Sequence, residues 1–190
     1  MSHFRSLKSA LIIFSLLVAA GAAPALAGAS LDIRPSVCPN LISRNARTVL
    51  PVALVSDVDF VVSRLDIDTA TLELSRADGV GGIAKPIVRR TFRPATRLVD
   101  VAAPAVSGMC STFGADGIRD LSIVFGQANV VSELELRNLP LNSFVELCLS
   151  GQTGDGTPFS ACDHVIVSEF RLFATPPPDD DDLGTLPRLR

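Results

Sequence analysis

The sequence predicts an all-β protein, an antiparallel β-sandwich of the immunoglobulin-like or jelly-roll-like kind, with an N-terminal signal peptide and a disordered C-terminal tail. Short segments of alternating apolar and polar residues recur along the chain, and turns rich in its 13 glycines and 13 prolines separate them. No long segment has the 3.6-residue period of an amphipathic helix, and no internal repeat occurs. We therefore expect one domain of two packed sheets.

The start of the chain has the features of a secretory signal peptide. Arg5 and Lys8 precede an apolar run at residues 10–20, and a small-residue cleavage site follows at residues 25–27. The apolar run is shorter than the roughly 20 residues that a membrane span needs, and no later segment of the mature chain qualifies. We expect a signal peptide at 1–27, one β-sandwich domain at 28–174 and a tail at 175–190.

The first half of the mature chain contains two well-defined strand patterns. Residues 31–34 alternate in polarity and end at Pro35. Residues 49–55, VLPVALV, form an apolar run typical of a strand buried on both faces. Pro51 within this run predicts a bulge or an edge, because proline cannot donate a ladder hydrogen bond.

The remaining segments are shorter and less regular. Residues 77–83, ADGVGGI, predict a loop, and residues 129–134 fit either a helical turn or an irregular crossing. The sequence TPPPDDDDLGTLPRLR from Thr175 onwards has too little apolar content to fold, which predicts the disordered tail. Further strands are predicted at residues 65–68, 71–74, 87–92, 98–101 and 121–125.

A hairpin at residues 144–167 is the strongest pattern in the chain. Two alternating runs flank a loop rich in Gly, Thr and Asp. Folding about Asp155 places Cys148 opposite Cys162, at a separation that a disulfide tolerates, and it places Glu146 beside His164. The residues predicted to form the buried face are Val145, Leu147, Leu149, Ala161 and Val165.

The four cysteines predict two disulfides in an oxidising compartment. The hairpin register pairs Cys148 with Cys162, which leaves Cys38 to pair with Cys110. A zinc site is the alternative, but the chain has no C-x-x-C spacing and only one mature histidine. We expect the protein to be secreted or periplasmic.

Five segments carry a resemblance to a known family. They are LDIRPSVCPN, VLPVALV followed by DVDF, LDIDTATLEL, DGIRDLSIVF and LCLSGQTGDGTPFSACD, in this order. Together they resemble a family of uncharacterised secreted bacterial modules with the motifs IDIKPGSxPN, VLPVAI, DGxxDL and LTGxxxDGTPF. The resemblance covers about residues 31–167 and implies an exported β-rich module with no established activity. The chain departs from the motifs at Arg34, at Val37 and in an insert at residues 79–96.

The resemblance also implies a candidate calcium site at residues 112–121. In the family this loop reads D-x-D/N-x-D-G-x-x-D-L, with oxygen ligands at alternate positions. Thr112 and Gly114 stand at the first two acidic positions here, so Asp116 and Asp120 remain. Calcium takes roughly six to eight oxygens. The alternative interpretation is therefore a plain Asp116–Gly117 turn that leads into a strand.

The sequence offers no assembled catalytic site. Two disulfides leave no free thiol, and a cross-strand pair explains His164 beside Glu146. The acidic residues between positions 57 and 68 alternate with apolar ones, as on a solvated face. The chain has no Trp or Tyr on which a sugar could stack. The basic run at residues 85–97 is typical of a charged edge strand, with an acidic glycan, a lipid headgroup or the protein's own acidic tail as its alternative ligand.

We therefore predict an exported, non-enzymatic module with a structural or protein-interaction role and no resident cofactor. The alternative is a calcium-dependent or glycan-binding extracellular module. Loss of the signal changes the net charge from −3 to −5, because Arg5 and Lys8 leave with it. Such a chain has no electrostatic affinity for nucleic acid, so the expected partner is another envelope protein or a glycan.

Overall fold

The computed structural model describes residues 29–57, 61–62, 65–88, 94–104, 110, 112 and 114–169 of the 190-residue chain. The predicted signal peptide and tail lie outside these residues, as do residues 89–92 of the strand predicted at 87–92. Among the described residues, no helix has the length and apolar character needed to span a membrane.

The described chain is mostly β-structure. Eight strands and one helix follow one another, and a short 3-10 helix at Leu136–Asn138 precedes the last two strands. The elements are β1 (Ser30–Ile33), β2 (Leu41–Ser43), β3 (Val49–Val55), β4 (Ile67–Arg76), β5 (Thr96–Val99), β6 (Asp120–Gly126), α1 (Gln127–Glu133), β7 (Phe144–Thr153) and β8 (Pro158–Ser168).

The strands form two four-stranded sheets. The first has the order β1-β3-β6-β5 and is antiparallel throughout. The second has the order β2-β8-β7-β4, in which only the pairing of β2 with β8 is parallel. The all-β prediction is therefore confirmed. The short strand β2 was not predicted, the strand predicted at 98–101 is shifted two residues along the chain from β5, and residues 87–88 of the strand predicted at 87–92 form only an isolated bridge, at Val88.

A single hydrophobic cluster contains side chains from both sheets. Alternate residues of the longer strands point into it, as the two-residue period of a strand requires. The innermost members are fully buried, and they include Leu54 and Ile123 of the first sheet with Leu72, Leu147 and Val165 of the second. The two sheets therefore bury their apolar faces against a common core.

The strand β3 is also buried on its other face near its end. Ala53 and Val55 form a second small cluster with Ala102, which covers the opposite face of the first sheet. The prediction of a doubly buried strand is therefore confirmed for this end.

The pairing of β3 with β6 continues without a shift past Pro51, so the bulge alternative is wrong. The paired residues of β1 end at Ile33, opposite Val52, and the N–H of Arg34 still donates to the carbonyl oxygen of Pro51 at 2.9 Å. The edge alternative therefore holds only in the sense that Pro51 lies opposite the end of β1.

Two other predictions need correction. The segments predicted at 65–68 and 71–74 are continuous in one strand, β4, which begins only at Ile67 and whose pairing with β7 shifts between Asp68 and Glu73. The undecided segment at 129–134 lies mainly in helix α1, where Val130 and Val131 are buried in the core. Apolar contacts with the core thus select the helical alternative.

Candidate functional site

The C-terminal hairpin has the predicted register. Cys148 pairs with Cys162 across β7 and β8, and Glu146 pairs with His164. The Cys148–Cys162 disulfide joins two directly opposite residues with a Cα separation of 4.0 Å. The five residues predicted for the buried face are all buried, whereas Glu146 is exposed.

The second disulfide joins Cys38 to Cys110, as predicted. Cys38 lies in the loop between β1 and β2, and Cys110 lies in the segment before β6, 72 residues further along the chain. No free cysteine remains. The bond therefore fastens the β1–β2 loop to a distant part of the chain.

Asp116, one of the two predicted calcium ligands, lies in an exposed turn. Its Oδ1 accepts the N–H of Ile118 at 2.9 Å, and its own N–H donates to Oδ1 of Asp100 at 2.9 Å. The N–H of Gly117 donates to the other oxygen of Asp100 at 2.8 Å. Asp100 and Asp116 therefore stabilise the turn before β6.

Asp120, the other predicted ligand, is fully buried at the start of β6. Its Oδ1 accepts the N–H of Ser56 at 3.0 Å, and its Oδ2 accepts those of Val101 and Ala102 at 2.9 and 3.0 Å. Burial raises the pKa of Asp120, these three donors oppose the increase, and the charge of Asp116 adds to it. Asp120 therefore fastens two loops to the first sheet.

A different polar cluster stands out by its burial. It consists of Asp32 on β1, Asn40 just before β2 and Asp163 on β8. Asp32 and Asn40 are only 4% and 1% exposed. Asn40 donates from Nδ2 to Oδ2 of Asp163 at 2.8 Å, and the N–H of Ile33 donates to the same oxygen at 2.8 Å. This cluster therefore connects the two sheets.

Several oxygens of this cluster have no hydrogen-bond partner within the described residues. They are both carboxyl oxygens of Asp32 and Oδ1 of Asn40. The hydroxyl of Ser30, two residues before Asp32 on the same face of β1, is also without a partner. A buried polar atom without a partner is costly, and it needs a specific explanation in a folded protein.

The electrostatics of the cluster follow from burial and from its two carboxyl groups. Burial raises the pKa of Asp32 to about 7, and the neighbouring charge of Asp163 adds to the increase. The N–H of Ser36 lies close enough to oppose this, although it reaches neither oxygen with hydrogen-bond geometry. Burial also raises the pKa of Asp163, and the hydrogen bonds from the N–H groups of Ile33 and His164 oppose this increase.

The loop over Asp32 has an unusual backbone. Arg34 and Ser36 both have positive φ angles, of 65° and 68°, in the left-handed region that non-glycine residues rarely adopt. The loop continues through Cys38, which is disulfide-bonded, to Asn40. The loop thus places the N–H of Ser36 near the carboxyl group of Asp32 and leads to Asn40, which contacts Asp163.

The chemistry open to this cluster is limited by its donor atoms. All of them are oxygens of carboxyl and amide groups, which suit hard cations such as calcium and magnesium rather than zinc. A proton shared by the two carboxyl groups is the other way to reduce their repulsion. Because Asp32 is only 4% exposed, a substrate the size of a sugar has no direct access to its carboxyl group.

The local sequence pattern does not predict this cluster. Asp32 alternates with Leu31 and Ile33, a pattern typical of a solvated strand face. The available signal was the recurrence of Asp and Asn in the first family motif, at Asp32 and Asn40. Nothing in the local pattern placed Asp163 beside them.

An open cleft of about 480 Å³ lies where β4 and β7 meet the segment after the 3-10 helix. Arg76 at its wall is nearly buried and forms an ion pair with the exposed Asp78. Phe144, another lining residue, is 75% exposed, the largest exposed fraction among the large apolar side chains described. This cleft combines a paired charge with an apolar rim.

The predicted basic run is only partly described. Lys85 forms an ion pair with Glu73 of β4, and Arg97 lies exposed on the edge strand β5. Arg89, Arg90 and Arg93 lie outside the described residues. The position of Arg97 fits the charged edge strand that the sequence predicts.

Comparisons of the chain with models of protein families, with curated proteins and with solved structures found no match. The resemblance to secreted bacterial modules therefore stays a prediction from the motifs.

Proposed function

We propose that the protein is an exported, non-enzymatic β-sandwich module, of the immunoglobulin-like or jelly-roll-like kind, with a structural or protein-interaction role. The observation that carries this proposal is the pair of disulfides, Cys38–Cys110 and Cys148–Cys162. Disulfides persist in oxidising compartments outside the cytosol. Together with the signal-like first 27 residues, they favour a secreted or periplasmic location.

The positions of the buried carboxyl groups support a non-enzymatic role. Asp120 accepts three backbone N–H groups, and Asp163 accepts the N–H of Ile33 and the amide of Asn40. These bonds hold loops and strands together. A general acid or base has to reach a substrate proton within hydrogen-bond distance, which favours a structural role for acids enclosed in this way.

An interaction role is favoured by Phe144. A phenylalanine side chain that is 75% exposed costs free energy in water, and aromatic residues are enriched in the contacts between proteins. It borders the cleft that contains the Arg76–Asp78 ion pair. We infer that another envelope protein contacts this region.

Export is tested with the full chain in a bacterial host. We expect a periplasmic or secreted product whose first residue is Gly28, with two disulfides in non-reducing peptide maps. The matched control lacks residues 2–27 and should stay in the cytoplasm with reduced cysteines. A full-length, reduced and cytoplasmic product of the complete chain would contradict the proposal.

The interaction role is tested by photo-crosslinking in the native envelope. A photoreactive phenylalanine analogue at position 144 should yield a defined crosslinked protein, because the natural side chain is exposed there. The control carries the same analogue at Glu135, an exposed position before the 3-10 helix. Identical crosslinks at both positions, or none at 144, would count against a specific contact.

A further inference from the structure

The acidic cluster under the β1–β2 loop has the composition of a cation site. Asp32 and Asn40 are more than nine-tenths buried, and three of their side-chain oxygens lack a partner among the described residues. The Asn40–Asp163 hydrogen bond fixes the orientation of the amide. Because Nδ2 of Asn40 donates to Asp163, its Oδ1 is the atom left to bind something else.

We propose that Asp32, Asn40 and Asp163 form a binding site for one hard divalent cation, and that Ca²⁺ is the ion it takes. Asp32 supplies two oxygens and Asn40 supplies Oδ1. Both oxygens of Asp163 already accept hydrogen bonds, from the N–H groups of Ile33 and His164 and from the amide of Asn40, so Asp163 contributes its negative charge and holds Asn40 in place. Water molecules complete the coordination, as in many calcium sites. The site goes beyond the proposed function, and it is separate from the Asp116 turn.

No ion pair among the described residues neutralises the negative charge of the cluster, so a cation could do so. Three ion pairs join described residues, and none includes Asp32 or Asp163. Arg34, two residues after Asp32, donates its guanidinium to the carbonyl oxygen of Leu41 at 2.7 Å. Asp120 adds repulsion to Asp32, and His164 is the neighbouring basic side chain that opposes the increase in the pKa of Asp163. A divalent cation would neutralise both carboxylates.

The donor set favours calcium over the other common ions. It contains no sulfur or nitrogen donor, which argues against zinc. An amide oxygen and a carboxylate held by different elements form an irregular set, which calcium accepts and magnesium does not, since magnesium requires nearly ideal octahedral geometry. An exported protein also meets calcium at concentrations that fill weak sites. Extracellular calcium modules have dissociation constants on the order of 10⁻⁴–10⁻³ M.

The experiment is calorimetric titration of the mature, disulfide-bonded chain with CaCl₂ after treatment with EDTA, and with MgCl₂ in a parallel series. We expect one Ca²⁺ per chain, with a dissociation constant on the order of 10⁻⁴–10⁻³ M, and weaker binding of Mg²⁺. Asp32→Asn keeps the size of the side chain and removes its charge. It should weaken Ca²⁺ binding by at least about tenfold.

The matched control is Asp116→Asn, which changes the exposed acid of the turn before β6. Its Ca²⁺ affinity should stay within about twofold of the wild type. A second variant, Asn40→Asp, adds a carboxylate to the site. We expect it to bind Ca²⁺ more tightly and to show a larger increase in melting temperature with Ca²⁺ than the wild type, which would show directly that position 40 faces the ion.

Three results would overturn the proposal. The first is a folded wild-type chain that does not bind Ca²⁺. The second is equal Ca²⁺ affinity in the wild type and Asp32→Asn. The third is a loss of affinity in Asp116→Asn at least as large as in Asp32→Asn, which would place the ion at the turn. None of them bears on export or on the Phe144 contact, so failure here is distinguishable from failure of the proposed function.

Discussion

Oδ2 of Asp163 accepts a hydrogen bond of 2.8 Å from the backbone N–H of Ile33, and this bond joins the second sheet to an edge strand of the first. Successive N–H groups of a strand point to opposite sides. The N–H of Arg34 donates to Pro51 of β3, so that of Ile33 points away from β3. The side chain of Asp163 therefore replaces a neighbouring strand at this edge.

Removal of this side chain should destabilise the fold. Asp163→Ala removes the acceptor of the N–H groups of Ile33 and His164 and the nearer acceptor of the Asn40 amide, which we expect to cost about 2–4 kcal/mol in the free energy of unfolding. Urea denaturation at pH 5 in EDTA measures it, since Asp32 is then protonated and repulsion between the carboxylates does not offset the loss. The control His164→Ala changes an exposed neighbour and should cost little. Equal midpoints for the two variants would refute the role of Asp163.

The stability of the protein without calcium should fall as the pH rises from about 4 to about 7. The pKa of Asp32 is raised to about 7 in the folded chain from an ordinary 3.8. The folded state therefore binds this proton more tightly than the unfolded state, and the stabilisation present below pH 3.8 is lost as the pH rises through the folded pKa.

One pKa unit corresponds to about 1.4 kcal/mol, so the loss from Asp32 is at most about 4 kcal/mol. Thermal unfolding in EDTA at several pH values checks this. The stability of Asp32→Asn should vary less with pH over the same range, and this variant should be more stable than the wild type at pH 7.5. If the stability of Asp32→Asn fell with pH as steeply as that of the wild type, groups other than Asp32 would be responsible for the pH dependence.

Adjacent residues of β7 point to opposite faces of the sheet, so substitutions at Leu147 and Glu146 should differ in their effect on stability. Leu147 is fully buried in the core and Glu146 is exposed on the opposite face of β7. Leu147→Ala should cost about 2–5 kcal/mol because it leaves a cavity, and Glu146→Ala should stay within about 0.5 kcal/mol of the wild type. Denaturation midpoints decide the matter. Similar losses at both positions would mean that the facing is wrong.

The left-handed conformation of Ser36 predicts a stabilising substitution. Its φ of 68° carries a steric cost that glycine does not have. Ser36→Gly should therefore raise the free energy of unfolding by about 0.5–1 kcal/mol, after the greater freedom of glycine in the unfolded chain is included. The adjacent control Val37→Gly, at a residue without a positive φ, should lower it. A loss of stability in Ser36→Gly would contradict the expected relief of strain.

The two disulfides should differ in their effect on stability. Cys38–Cys110 spans 72 residues and Cys148–Cys162 spans 14. In the chain-entropy model, their removal by paired Cys→Ser substitutions costs about 4 and about 3 kcal/mol, because the longer loop restricts the unfolded chain more. Guanidinium denaturation of the two double variants measures both. A larger cost for the hairpin disulfide would argue against this model.

The sequence predicted the hairpin well because several local signals coincide there. The alternation of apolar and polar residues along β7 and β8 shows which face is buried. The pairing of Cys148 with Cys162 defines the register of the two strands independently. Strand β2 is different, since it has only three residues and a parallel partner 125 positions along the chain. Its existence depends on the tertiary arrangement that brings β8 to it. The shift within β4 is likewise imposed by pairing with β7 rather than by a local pattern.

The acidic cluster could not be predicted for a similar reason. The position of Asp32 between Leu31 and Ile33 correctly assigns it to the face away from the core, but alternation does not show what covers that face. The cover comes from a loop that the Cys38–Cys110 disulfide holds in place. The family motif singled out Asp116 and Asp120, and the charge of Asp116 does act on Asp120. The motif could not show that three backbone N–H groups already donate to the carboxyl oxygens of Asp120.

The position of β8 has a consequence for how the chain is made. β8 is the last strand described, yet it lies between β2 and β7 and supplies Asp163 to β1. Contacts between residues so far apart in sequence form slowly during folding. Strand β2 therefore cannot complete its pairing until residue 168 has been synthesised, and the N–H of Ile33 lacks its acceptor until Asp163 has been. Under the export proposed above, a chain that crosses a membrane in extended form would gain from this delay, because the second sheet is completed only when the final hairpin arrives. A product truncated before Pro158 would lack a central strand and would expose two unpaired sheet edges to proteases and to other unfolded chains.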